Sequence, residues 1–171
     1  MARVYLLTGK PGSGKTTVIR EAIAGSEIKA GGFYTEEIRN GGVRQGFRII
    51  TLDGQQSVLS HVDFPGRNRV GKYGVNITNL DNTAVAAIER AVRESDLIVV
   101  DEIGKMELLS ARFREAIEKA LNSGKKVLAT IMLNPHHFAD DIKRRPDIKV
   151  LELTKNNRDQ ILLEIADWLR K

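Results

Sequence analysis

The chain has 171 residues, with 27 basic and 22 acidic side chains, a net charge of +5 and no cysteine. A chain of this length can bury about 70% of the surface that its unfolded form exposes, so it needs no disulfide or metal to fold. The absence of cysteine excludes thiol catalysis and cysteine-ligated zinc. Basic residues are mixed with acids along the chain, which indicates no clear nucleic-acid surface.

The first predicted elements are a strand over residues 3–8 and a helix over residues 15–24, joined by a glycine-rich loop. The loop reads GKPGSGKT and satisfies the phosphate-binding pattern G-x-x-x-x-G-K-[ST] without a mismatch. In such a loop the backbone N–H groups surround an anion, the lysine brings charge to the outer phosphates, and the threonine hydroxyl binds magnesium. The expected nucleotide-binding residues are Gly9, Lys10, Pro11, Gly12, Ser13, Gly14, Lys15 and Thr16.

Three strand-like runs follow, at residues 31–39, 43–52 and 56–62, and the turn signals NGG and DG separate them. They predict an antiparallel meander that ends in the loop FPGRNRVGKYG. We therefore expect a β-rich insertion over about residues 32–75. It should pack on the main sheet of a single domain that spans residues 1–171.

Strands alternate with helices in the rest of the chain. Apolar spacing predicts helices over residues 83–93, 110–121, 135–144 and 157–169, the last one capped by Asn157, and strands over residues 97–100, 127–131 and 149–153. Such alternation is typical of a mostly parallel sheet with helices on both faces. The expected fold is therefore α/β, of the P-loop class.

Two acids, Asp101 and Glu102, follow the aliphatic run LIVV. A phosphate-binding loop needs a second element, an acid at the end of a buried strand, to hold magnesium. We expect Asp101 to be that ligand together with Thr16. We expect Glu102 to orient or deprotonate a water that attacks the γ-phosphate.

An activated water favours a hydrolase. An acid at this place can also take a proton from a substrate hydroxyl, so a kinase of a nucleoside, a nucleotide or a polynucleotide end is the alternative. A third alternative is a binding protein whose insertion moves with the γ-phosphate and recognises a partner in one nucleotide state.

Four further segments stand in order behind the phosphate loop: GGFYTEEIR, RVGKYGVN, VVDEIGKMEL and VLELTKNNRD. With them the chain, from about Arg3 to Trp168, resembles the cancer-related nucleoside-triphosphatase family, first known from thermophiles. The resemblance implies a RecA-like fold, a monomer, and magnesium-dependent hydrolysis of nucleoside triphosphates to diphosphates with little base preference. It also implies that the phosphate cradle extends to Thr17 and that Lys105 and Glu107 lie near the γ-phosphate. A surface ion pair is the alternative for Lys105 and Glu107.

Charge that develops on a transferred phosphoryl group usually needs an arginine as well. We favour Arg144 or Arg145, because the end of a helix just before the turn at Pro146 can swing over a bound nucleotide. The other candidates are Arg67, Arg69 and Arg158.

The segment TKNNRD follows the last predicted strand, where P-loop proteins often place residues that contact the base. Asn156, Asn157 and Arg158 are therefore candidates for the edge of a base site. For Asn157, capping the last helix is a sufficient explanation without any ligand.

The apolar run near the N-terminus is too short for a signal sequence or a membrane span. We expect a cytoplasmic enzyme that acts on nucleoside triphosphates and has no membrane association.

Overall fold

The computed structural model describes all residues from Met1 to Lys171, and nine strands form its centre. The strands are β1 (Val4–Thr8), β2 (Ala30–Asn40), β3 (Val43–Thr51), β4 (Gln56–His61), β5 (Arg69–Val70), β6 (Tyr73–Val75), β7 (Leu97–Ile103), β8 (Lys126–Ile131) and β9 (Ile148–Glu152). They belong to one sheet with the order β5-β6-β4-β3-β2-β7-β8-β1-β9.

Helices cover both faces of this sheet. They are α1 (Lys15–Ala24), α2 (Ile77–Asn79), a π-helical segment (Leu80–Val85), α3 (Ala86–Glu94), a short 3-10 turn (Glu107–Leu109), α4 (Ala111–Leu121), α5 (His137–Lys143) and α6 (Arg158–Arg170). Side chains of α1 and α6 pack in one core, and those of α3, α4 and α5 pack in the other. No helix has both the length and the hydropathy needed to cross a membrane.

The central strand β7 shows why helices are needed on both faces. Successive side chains of a strand point to opposite faces of its sheet. Leu97 and Val99 therefore lie in the core under α1 and α6, whereas Ile98 and Val100 lie in the other core. All four are fully buried. An uninterrupted aliphatic run is what a strand covered on both faces requires.

The parallel half of the sheet positions the functional site. Strands β2, β7, β8, β1 and β9 are parallel, so their carboxyl ends meet at one edge of the sheet. The phosphate loop follows β1, and β7 carries Asp101 near its own end. Strand β8 lies between β1 and β7, so the two motifs face each other across one strand.

The expected antiparallel meander is present. It joins the main sheet edge to edge, as a continuation of the same sheet. Residues Ala30–Phe33 of β2 pair in parallel with β7, and residues Phe33–Asn40 pair in antiparallel fashion with β3. At the junction Gly32 has a φ of +118°, and a Cβ there would clash with the backbone oxygen of Val99. Period-2 alternation indicates strands but not which edge they pair with, which is why the sequence did not predict this placement.

Several element ends also differ from the predicted ones. The helical stretch expected over residues 83–93 begins at Ile77, because the Asn76 side chain accepts a hydrogen bond from the Asn79 N–H and caps it. Within the predicted loop, β5 and β6 form a short hairpin. Helix α5 begins two residues later than expected, because His136 Nδ1 accepts from the Phe138 N–H.

Candidate active site

The loop between β1 and α1 has the backbone geometry of a phosphate cradle. Gly12 and Gly14 adopt positive φ angles of 77° and 93°, a region that favours glycine. The Lys15 Nζ donates to the carbonyl oxygens of Gly9 at 2.8 Å and Lys10 at 3.3 Å. These two carbonyl oxygens hold the Lys15 ammonium group against the loop. An anion bound by the backbone N–H groups of the loop would therefore lie next to this positive charge.

Asp101 joins three elements of the site. The Thr16 hydroxyl, at the start of α1, donates to Asp101 Oδ2 at 2.6 Å. The Thr130 hydroxyl, on β8, donates to Asp101 Oδ1, also at 2.6 Å. Asp101 is only 3% exposed, and burial raises the pKa of its carboxyl group. The two hydroxyls and the charge of Lys15 oppose that rise.

The donor set at this point fits magnesium. A threonine hydroxyl and an aspartate carboxylate supply the hard oxygen ligands that Mg²⁺ prefers. The chain contains no group of three or more His, Cys, Asp or Glu side chains that could hold a metal. Mg²⁺ usually keeps several waters and is bound by one or two protein groups together with substrate phosphates. Thr16 and Asp101 beside the phosphate loop therefore suit a metal that arrives with a nucleotide.

Glu102 and Glu107 bring two more carboxyl groups to the same edge. A Cβ built on Gly104 would lie 2.5 Å from Glu102 Oε1 and 2.9 Å from Glu107 Oε1, so both side chains converge on this glycine. Burial raises the pKa of Glu102, and the charge of Asp101 raises it further, against the effect of Lys15.

Of these two groups, Glu107 holds its proton more tightly. Its side chain is 5% exposed, and burial, followed by the charge of Glu102, raises its pKa well above the ordinary value. Glu102 is less buried and lines the cavity described below.

We predict that Glu107→Gln raises the melting temperature at pH 8 by at least about 3 °C and changes it little at pH 4. The pKa of Glu107 is higher in the folded than in the unfolded chain, so the folded state binds more protons. The free energy of unfolding therefore falls as pH rises from about 4.5, the ordinary value, and glutamine removes this loss. Calorimetry at both pH values tests this, with the exposed Glu115→Gln as control. Equal shifts at both pH values would contradict a raised pKa.

A cavity of about 370 Å³ joins the phosphate loop to these acids, and we call it the phosphate cavity. Its lining residues come from the loop, β2, β3 and β7. They are Pro11, Gly12, Lys15, Thr16, Thr35, Glu36, Glu37, Arg44, Phe47, Asp101 and Glu102. Strands of both the parallel half and the meander thus contribute to one cavity.

Arg44 on β3 is a site residue that the sequence analysis missed. Its Nε donates to the Tyr73 hydroxyl at 2.8 Å, and its Nη1 donates to Glu37 Oε1 at 3.3 Å. These bonds fix the guanidinium group on the wall of the phosphate cavity, which residues of the phosphate loop also line. No local motif marks Arg44, since the pairing of β3 with β2 and of β2 with β7 brings it there.

The expectation that Arg144 or Arg145 reaches the nucleotide is wrong. Arg145 donates to Asn122 Oδ1 at 2.8 Å and lines a cavity with residues 1–4, at the start of β1. The phosphate loop follows the other end of that strand. Helix α5 runs from the carboxyl end of β8 back to the amino end of β9, so it carries its last turn and Arg144 away from the site.

The remaining arginine candidates make other contacts. Arg69 donates to the carbonyl oxygens of Phe64 and Lys72 and so holds its own hairpin together. Arg158 donates to Glu21 Oε1 on α1 at 2.8 Å. Arg67 is exposed and lines neither the phosphate cavity nor the cavity beside the last strand.

The last strand borders a further cavity of about 440 Å³ next to the phosphate loop. Asn157 and Arg158, the residues expected at the edge of the base, do not line it. Asn157 occupies the cap position of α6, but its side chain makes no capping bond, which corrects our prediction. Its Oδ1 accepts from the Thr154 N–H and its Nδ2 donates to the Glu152 carbonyl, so it braces the loop instead. The cavity is lined by Lys10, Pro11, Gly12, Ser13, Glu152, Leu153, Thr154 and Lys155.

Lys105 and Glu107 are not a surface ion pair. Glu107 is buried, whereas Lys105 is exposed. Both line a cavity that also contains Glu102. The structure thus places them beside the acid expected to act on the γ-phosphate.

A family model described as NTPase matches residues 4–166, which include the phosphate loop and both acids. The chain belongs to this NTPase family. Nucleoside-triphosphatase THEP1 of Thermotoga maritima is 50% identical over 165 residues, which cover 96% of this chain and 94% of that protein. The cancer-related nucleoside-triphosphatase of Homo sapiens is 40% identical, with 97% and 96% covered.

Solved structures of NTPase family members share the fold. The crystal structure of THEP1 from Aquifex aeolicus has a TM-score of 0.89 and 38% identity, and it covers 98% of this chain and 99% of that one. The solution structure of the human protein has a TM-score of 0.82 and 36% identity, with 99% and 98% covered. The predicted P-loop fold class and the predicted family are confirmed.

Proposed function

We propose that the chain hydrolyses nucleoside triphosphates to diphosphates and phosphate in the presence of Mg²⁺. The observation that carries the proposal is the 2.6 Å hydrogen bond between Thr16 and Asp101 beside the phosphate loop, with Glu102 next in the chain on the same cavity. The names of the relatives, which are nucleoside-triphosphatases, support the same activity.

Each residue of the cavity has a distinct task in this reaction. The backbone of the loop and Lys15 bind the β- and γ-phosphates, and Thr16 and Asp101 hold the metal. Held by Thr16 and Asp101, Mg²⁺ would supply positive charge that offsets the negative charge developing on the phosphates. Glu102 accepts a hydrogen bond from the attacking water and takes its proton as the water oxygen bonds to Pγ. The bond from Pγ to the bridging oxygen breaks, and its electron pair leaves with the diphosphate.

Arg44 takes the place that the sequence analysis gave to Arg144 or Arg145. An arginine in the same chain can stabilise charge that develops on the transferred phosphoryl group. Arg44 lines the phosphate cavity with Lys15 and Glu102, and a strand rather than a mobile helix end carries it. We infer that its guanidinium group meets the equatorial oxygens of the γ-phosphoryl group.

Little base preference is expected from the cavity beside the last strand. Its lining contains no aromatic side chain on which a base could stack. It also contains no Asn, Gln or Arg side chain that could form two hydrogen bonds with the edge of a base. The phosphate contacts are shared by all nucleoside triphosphates. We therefore propose that ATP, GTP, CTP and UTP are all substrates.

Release of phosphate from these four triphosphates, with Mg²⁺ and with a chelator, tests the activity. We expect turnover of all four within about tenfold of one another, because a site discriminates strongly only where it hydrogen-bonds a group of the substrate, and the cavity beside the last strand has no side-chain fork placed to read a base edge. We expect no turnover with chelator. Phosphate release from a single triphosphate, or release that survives chelation, would contradict this proposal.

We also propose that the enzyme acts as a monomer in the cytoplasm. The phosphate loop, both acids and Arg44 all come from one chain, so the site needs no group from a second copy. The absence of cysteine suits a reducing compartment.

A further inference from the structure

A second cavity of about 430 Å³, which we call the side cavity, adjoins the phosphate cavity. The two cavities share several wall residues, so Glu102 borders both. Strand β4, the hairpin of β5 and β6, and the segment after β7 form the rest of its wall. The shared residues are Pro11, Thr35, Arg44, Phe47 and Glu102.

The wall of the side cavity has the composition of a site for a small organic molecule. The rings of Phe47 and Tyr73 lie 5.8 Å apart at 67° and present aromatic surface. Val70 and Met106 add aliphatic surface, and Lys105 adds one positive charge. Mostly apolar walls with a few placed polar groups are typical of ligand pockets of roughly 300–1,000 Å³.

Hydrolysis alone does not require this space. A reacting water occupies about 30 Å³. It needs Glu102 and the γ-phosphate, but not aromatic walls that extend to Tyr73 on β6. A phosphoryl acceptor other than water must approach the γ-phosphate from the side opposite the nucleotide. The side cavity shares Arg44 and Glu102 with the phosphate cavity, so it adjoins the place where we expect the γ-phosphate to bind.

We propose that the side cavity binds a ring-bearing primary alcohol, up to the size of a nucleoside, and that the enzyme transfers the γ-phosphoryl group to its hydroxyl. This inference rests on the proposed function, because the same phosphate loop and metal ligands must supply the phosphoryl group. The ring packs on Phe47 and Tyr73, and the hydroxyl lies at Glu102.

The transfer step breaks and forms the same types of bond as hydrolysis, with the alcohol in place of water. Glu102 takes the proton of the hydroxyl while the alcohol oxygen forms a bond to Pγ. The bond from Pγ to the bridging oxygen breaks, and its electron pair leaves on the nucleoside diphosphate. The products are a phosphate monoester, a diphosphate and the proton on Glu102, which later passes to solvent.

The positively charged side chains that line the side cavity would stabilise the anionic product. A phosphate monoester carries close to two negative charges at neutral pH. Arg44 and Lys105 line the cavity, and both are cations. Of the two acids on the wall, Glu107 is buried, and burial raises the pKa of its carboxyl group.

Transfer from γ-labelled ATP to alcohols tests the proposal on the whole chain. The acceptors are the four ribonucleosides and 3-pyridinemethanol, and ethanol is the ring-free control. We expect at least one ring-bearing alcohol to become a labelled monoester, with a matching fall in free phosphate. Ethanol should give none. Free phosphate equal to diphosphate with every acceptor overturns the proposal but leaves hydrolysis intact. Failure to release either product would instead overturn the proposed function.

A filled cavity provides a second test. In Val70→Trp the larger side chain occupies the side cavity, and we expect the ratio of monoester to free phosphate to fall about tenfold or more. Val150→Trp, on the exposed edge of β9, is the matched control and should keep the wild-type ratio. Saturation-transfer NMR of the acceptor reports binding independently of turnover. An unchanged ratio in folded Val70→Trp would show that transfer, if present, occurs elsewhere.

Discussion

The substitution Glu102→Gln is expected to lower kcat for phosphate release by about 100- to 1,000-fold while nucleotide affinity stays close to that of the wild type. Glutamine keeps the size of the side chain but cannot accept a proton from water. The phosphate loop, Thr16 and Asp101, which we propose bind the nucleotide and its metal, are untouched. Steady-state phosphate release and calorimetric titration with a triphosphate measure the two quantities separately.

The pH dependence of wild-type turnover is a second test of Glu102 as the group that takes the proton. The group must be ionised to take a proton, and burial together with Asp101 raises its pKa above the ordinary glutamate value of 4.5. Turnover should therefore fall with acidification at a higher pH than an exposed glutamate would give. The exposed Glu115→Gln should retain wild-type turnover. If Glu102→Gln keeps a third or more of the wild-type kcat, another group must accept the proton of the attacking water.

The substitution Arg44→Ala is expected to lower kcat by about 100-fold or more, since an arginine on the transferred phosphoryl group contributes roughly 10³ or more in related phosphoryl transfers. Affinity for the diphosphate should change little, because the γ-phosphoryl group is absent from it. Arg44→Lys should recover only part of the loss, since an ammonium group lacks the planar fork of a guanidinium.

Arg39→Ala is the matched control for this prediction. Arg39 and Arg44 both bind the Glu37 carboxylate, through bonds of 2.7 Å and 3.3 Å. Only Arg44 lines the phosphate cavity. If the two alanine variants lose turnover to the same extent, the effect comes from a disturbed Glu37 rather than from charge at the γ-phosphate.

The parts of the site that the sequence predicted are those encoded locally. A glycine loop between a strand and a helix, and two acids after four aliphatic residues, depend only on neighbours in the chain. Because parallel strands bring their carboxyl ends to one edge, Thr16 and Asp101 could be expected to meet, and they lie within hydrogen-bonding distance.

Arg44 and Arg145 show what local patterns leave open. Both stand in segments whose secondary structure was predicted well. Their positions depend on strand order and on the direction of a connecting helix, neither of which apolar spacing reveals. Arg145 was expected at the site and lies at the opposite end of the sheet, whereas Arg44 was not considered and lies on the cavity wall.

Strand β2 belongs to both halves of the sheet, and this has a mechanical consequence. Its first residues are hydrogen-bonded to β7, which carries Asp101, and its later residues are hydrogen-bonded to β3, which carries Arg44. No flexible linker separates the two groups. The distance between the arginine and the carboxylate is therefore set during folding, and the enzyme does not have to close a domain to assemble its charges around each new substrate.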